Sequence, residues 1–115
     1  MFKILPINVY NSDIIICIDV NIKQLYKKFG HLFDNKEQFE QVFNFEVSTT
    51  ARTIQAPSGF IIMIFKDLNN LGTIAHESLH ATSYILSYRG IYFSEETEEV
   101  YAYLLGYIVN EIKKI

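Results

Sequence analysis

The hydrophobic pattern of this 115-residue chain changes period once, and that change limits what it can fold into. From Met1 to Asp67 the apolar residues fall in short β-branched and aromatic runs: Phe2 to Tyr10, Asp13 to Val20, Glu46 to Gln55 and Gly59 to Lys66. Turn residues bound them, Asn11-Ser12 first and then Ala56-Pro57-Ser58-Gly59, which has the length of a hairpin loop, so the runs read as strands. Two short helices interrupt this half. Asn21 to Gly30 carries Ile22, Leu25, Tyr26 and Phe29 on one face and ends at a glycine suited to a helix C-terminus. Asn35 to Phe43 carries Phe39, Val42 and Phe43. From Leu71 the spacing is helical, over Leu71 to Arg89 with Gly90 as the stop, then over Ser94 to Lys113. The expected fold is α+β: a small mixed sheet from the N-terminal part, packed against two C-terminal helices. With no repeat, low-complexity tract or Pro/Gly/Ser linker, residues 1–115 are read as one domain. A chain of this size buries about two-thirds of its unfolded surface.

Composition excludes several classes of function. Half the residues are hydrophobic and 15% aromatic, which is enough burial to offset the entropy of ordering, so disorder is excluded. Ten Lys+Arg against thirteen Asp+Glu give a net charge of −3. With two arginines, Arg52 and Arg89, there is no basic stripe to displace counterions from nucleic-acid phosphates. The longest unbroken apolar stretches, Ile14 to Ile18 and Phe60 to Phe65, are far short of a bilayer span, and the first residues lack the apolar core of a secretory signal. The single cysteine, Cys17, sits in an apolar run and reads as a small core residue. The expectation is a protein of a reducing compartment, the cytoplasm, with no nucleic acid or membrane among its partners.

The chemistry concentrates in His76-Glu77-Ser78-Leu79-His80, an HExxH motif inside the Leu71 helix. At 100° per residue the two histidines lie about 40° apart on one face, one turn above the other, so both imidazoles can reach a common point. Glu77 lies on the flank of that face. Two neutral imidazoles with a carboxylate beside them are the parts of a catalytic zinc site, ligands and a base for the attacking water. A plain alternative is a pair of core histidines with satisfied nitrogens. The rest of the helix argues against it: Leu79, Leu86, Ala75, Thr82, Ile85, Ile74, Ala81 and Tyr88 surround one narrow polar wedge of Ser83, Ser87, His80, Tyr84 and Glu77. A buried glutamate in that wedge needs a cationic neighbour, which a metal ion would provide.

A third ligand is sought on the following helix, where Ser94 reads as an N-cap and Glu95, Glu96, Glu98 and Glu99 load the first turns with the charge that a helix N-terminus favours. Glu99 shares a face with Ala102, Tyr103, Gly106 and Asn110, and the small Ala102 and Gly106 would allow close approach to the HExxH helix. Glu96 and Glu95 stay open as alternatives. Tyr84, Tyr88, Arg89, Tyr92 and Arg52 are candidates for stabilising a tetrahedral oxyanion. His31, after Gly30, reads as a helix-terminus residue.

The runs Thr73-Ile-Ala-His-Glu-Ser-Leu-His-Ala-Thr82 and Glu99-Val-Tyr-Ala-Tyr-Leu-Leu-Gly-Tyr-Ile108 resemble the HExxH…ExxA pattern of gluzincin-type zinc metallopeptidases. They are most similar to small phage-encoded proteins of metallopeptidase type, at the scale of the minigluzincins. The resemblance covers roughly the last 45 residues. It implies a zincin-like fold, zinc (Zn2+) held by His76, His80 and Glu99, and Glu77 as the general base that activates a zinc-bound water to hydrolyse a peptide bond in a peptide or protein substrate. If phage-encoded, the chain would work in the cytoplasm of a bacterial host. Many gluzincins carry an Asp four residues after the ligand Glu, orienting the first His, and here that position is Tyr103. In zincin-like folds a sheet edge binds substrate as an added strand; the polar Glu46 to Gln55 is the expected edge and Phe60 to Phe65 a central strand. The competing expectation is a non-catalytic, zinc-stabilised phage-type protein that engages a host factor. Glu77 separates the two, because a closed structural site has no use for a base.

Overall fold

The structure is a computed structural model describing residues 1–43 and 51–115. Four strands, β1 (Phe2–Ile7), β2 (Ser12–Ile18), β3 (Ala51–Gln55) and β4 (Ile61–Phe65), form one mixed sheet in the order β1-β2-β4-β3. β1 and β2 are antiparallel, β2 and β4 parallel with Ile14 opposite Ile61, and β3 and β4 antiparallel with Thr53 opposite Met63. The α+β expectation holds. The five residues of β4, Ile-Ile-Met-Ile-Phe, are all buried, as befits a central strand covered on both faces. Among the described residues β3 pairs with β4 alone and forms a sheet edge, as expected; positions 46–50 of the expected strand lie outside the described residues.

Alternation along the strands feeds two separate cores. Ile14, Ile16, Ile61, Met63 and Phe65 point to the face covered by α3 (Leu71–Tyr88) and α4 (Glu98–Lys113), against Ile74, Ala81, Ile85, Tyr101, Leu104, Ile108 and Ile112. Cys17, Ile54, Ile62 and Ile64 point to the other face, covered by α1 (Ile22–Phe29) and α2 (Lys36–Phe43). There Phe39 and Phe43 stack with centroids 4.5 Å apart, and Phe33 meets both edge-on. The early helices thus build a layer of their own behind the sheet.

Local signals explain most element ends. Asn21 caps α1 in a reciprocal box with Gln24, and Asn70 Oδ1 caps α3 by accepting from Thr73 N–H at 2.9 Å. Gly90, at φ +77°, stops α3 in the left-handed region that favours glycine. Gly30 ends α1 for a different reason from the one expected. Its backbone is right-handed and runs on into a 3₁₀ turn, and a Cβ there would lie 2.9 Å from the Tyr26 ring, so the need is close approach. α4 starts three residues later than the Ser94 cap implies. Ser94 N–H donates to Thr97 Oγ1 at 2.8 Å, and that hydroxyl donates to the Tyr92 carbonyl at 2.6 Å, closing a turn at 94–97. Glu95 and Glu96 lie in this turn; Glu98 and Glu99 form the first turn of the helix.

Candidate active site

The HExxH sequence lies in the N-terminal half of α3, the helix that packs on both the sheet and α4. Its buried stripe is Ile74, Glu77, Ser78, Ala81, Thr82, Ile85 and Leu86. His76 and His80 stand on the opposite, solvent-facing side, with ring centroids 5.1 Å apart and rings nearly perpendicular. They are not core histidines. The expected polar wedge is split: the imidazoles face water, while Glu77 is turned into the protein. The side chain of His76 is 68% exposed and that of Glu77 9%.

Among the described residues Glu77 is buried without a cationic partner in hydrogen-bond reach. Its Oε2 lies 3.8 Å from His76 Nε2, too far for a hydrogen bond. Its Oε1 accepts from the Thr53 hydroxyl at 2.9 Å, and the same hydroxyl is 3.1 Å from the Glu77 carbonyl oxygen. Thr53, itself buried, lies on β3, and no motif marked it. The available signal was strand alternation, which puts Ala51 and Thr53 on the α3 side of a strand whose partner residue is Met63. A hydroxyl at such a position needs an acceptor. Thr82 and Ser87 satisfy theirs locally, donating to the Ser78 and Ser83 carbonyls.

Ala51, Asn70, Gly72, Thr73, His76 and Glu77 line a cleft of about 410 Å³ between the start of β3 and the first turns of α3. The exposed His76 imidazole and the buried carboxylate therefore border one space beside a sheet edge, and His80, one turn further along α3, stands outside its lining. The acidic helix does not complete this group: among the described residues no three His, Cys, Asp or Glu side chains are gathered to hold a metal. The reason lies in the face that α4 buries. Tyr101, Leu104, Ile108 and Ile112 form its inner stripe, and Glu99, Ala102, Tyr103, Gly106 and Asn110 are exposed. The small residues Ala102 and Gly106 do not mediate the approach to α3; Leu104 and Ile108 do. Tyr103 lines a separate groove of about 530 Å³ with Pro6 to Tyr10, Val100, Leu104 and Tyr107.

The oxyanion candidates divide in the same way. Arg89 donates to the Ile85 carbonyl at 2.8 Å and also to the Tyr10 carbonyl, and with Tyr88 it lines a cleft against Ser12, Ser58 and Phe60. Arg52, in register with Ile64, alternates to the sheet face opposite Thr53. Tyr92 is exposed in the connection between α3 and α4. Tyr84, half-buried one turn after His80 on α3, stays nearest to the motif in sequence. Comparison with protein-family models, curated proteins and solved structures found no match.

Proposed function

We propose that this chain is a zinc-dependent metallopeptidase of zincin-like build, with Glu77 as general base. The observation that carries the reading is the pairing of environments on one turn of α3: two solvent-facing imidazoles side by side and a buried, hydrogen-bonded carboxylate next to them in an open cleft. The donor set suits zinc in type, with His76 and His80 as neutral nitrogen ligands and solvent access for the open position of a catalytic site. The resemblance to the HExxH…ExxA pattern makes Glu99 the candidate third ligand, but here it stands on the exposed face of α4 and is not gathered with the two histidines, so it would have to be brought to them on binding. Bound zinc supplies Lewis acidity toward a carbonyl and a water. Glu77 then accepts a proton from the attacking water and delivers it to the leaving amine, and its partial burial keeps bulk water from competing for that proton. The outer edge of β3, which among the described residues pairs with no strand, lies beside the cleft and offers backbone groups to an extended peptide.

Zinc content by elemental mass spectrometry on chelator-free protein tests this. Wild type is expected to hold zinc, His80→Ala to lose it, and Glu99→Gln to bind it more weakly. Glu77→Gln is expected to keep zinc and lose cleavage of a peptide library. Wild type without zinc would overturn the reading, and equal cleavage by wild type and Glu77→Gln would remove Glu77 as base. A zinc-stabilised binding protein is the second reading, favoured by the exposed Val9 and Tyr103 at the apolar groove. Zinc retention with no Glu77-dependent hydrolysis would select it.

A further inference from the structure

We infer that Thr53, which stands on the sheet edge outside the motif, is a positioning residue that fixes which oxygen of Glu77 acts as base; this rests on the reading of Glu77 given above. A threonine hydroxyl has one proton to give, and among the described residues both acceptors within reach belong to residue 77: Oε1 at 2.9 Å and the backbone carbonyl at 3.1 Å. Both residues are buried, which limits competition from solvent for this bond. The terminal torsion of a glutamate is broad and two-fold, leaving its two oxygens interchangeable unless something distinguishes them. The Thr53 bond does so. It occupies Oε1 and leaves Oε2, on the side of His76 Nε2, as the oxygen that takes the proton. The orientation of the base is thereby set from β3, and a hydroxyl at this inward position, opposite the apolar Met63, has its burial compensated by that bond.

Three variants test the inference: Thr53→Val, which keeps the shape, Thr53→Ala as a second hydroxyl-free form, and Thr53→Ser, which keeps the hydroxyl. Two readouts are taken on proteins of matched circular dichroism. The first is the carboxyl ¹³C resonance of Glu77 in zinc-free protein labelled at glutamate, assigned by its absence from Glu77→Gln. It is expected to move in Thr53→Val and Thr53→Ala and to stay in Thr53→Ser. The second is peptide-library cleavage by zinc-loaded protein, where the hydroxyl-free variants should lose about 10- to 100-fold in kcat with little change in KM, and serine should restore most of it. An unmoved resonance in the hydroxyl-free variants would overturn the inference, as would a serine variant as impaired as valine. Wild type that cleaves nothing counts against the peptidase reading alone, and the resonance then decides the role of Thr53 by itself.

Discussion

Adjacent residues on α3 occupy opposite environments: His76 faces solvent and Glu77 faces the sheet. The 100° step of a helix permits this, and Thr53 makes it tolerable for a carboxylate. Cys17 is a second residue whose chemistry is set by its surroundings. It is fully buried in the layer with Phe29 and Ile62, and loss of hydration pushes its thiol up to about 12, outweighing the favourable charges of Lys28 and the N-terminus. The folded state therefore holds the thiol neutral where the unfolded chain ionises it. Its stabilising contribution is fully present below the ordinary thiol range and is lost as pH rises toward 12, at up to about 1.4 kcal/mol per pH unit. Urea midpoints of wild type and Cys17→Ala are expected to converge between pH 9 and pH 11. A constant gap between them would show that the thiol ionises equally in both states. In the folded protein near neutral pH, Cys17 should resist thiol reagents until denaturant is added.

At the scale of elements, α3 is the helix whose placement matters most for the site, and its start is defined by one side chain. Asn70 Oδ1 holds the Thr73 N–H, and both residues line the cleft beside His76. Asn70→Ala is expected to lower stability by about 1 kcal/mol, with Asn70→Ser close to wild type, in thermal or urea unfolding. An unchanged midpoint for alanine would mean that the first turn is held by packing of Ile74 instead. The span of α3 was legible because Leu71 to Tyr88 is periodic and Gly90 ends it. The start of α4 was not, since the cap residue Ser94 is drawn into a turn held by the Thr97 hydroxyl, which bonds the Ser94 N–H and the Tyr92 carbonyl and delays the helix to Glu98. The face that α4 buries also differs from the expected one. Small residues suggest close approach in a sequence, yet the larger Leu104 and Ile108 take the inner side because burying them removes more apolar surface from water.

Across the whole molecule the sheet separates two cores with different duties. The α1/α2 layer, with its Phe29, Phe39 and Phe43 stack, lies on the far side of the sheet from the HExxH cleft. Phe39→Ala should cost about 3–5 kcal/mol of stability through the cavity it leaves. At temperatures where the variant is still folded, its zinc content should equal that of wild type. Loss of zinc from folded Phe39→Ala would show that the two layers are coupled through β4. Among the described residues no helix is long and apolar enough to cross a membrane, in line with the short apolar runs.

Sequence alone determined the elements and the motif: strand runs before Asp67, helices after Leu71, the loop at 56–59, the buried Cys17, and His76 and His80 one turn apart on a helix. All of these depend on local period, turn chemistry or hydropathy, which a single chain displays directly. Tertiary structure decided which side of each element faces inward. It set the imidazoles toward solvent and Glu77 toward β3, supplied Thr53 from 24 residues away as the partner of that carboxylate, and turned the Glu99 face of α4 outward. Those outcomes follow from competition among whole faces for burial, and which neighbour each face meets is decided by elements distant in sequence rather than by spacing along one helix.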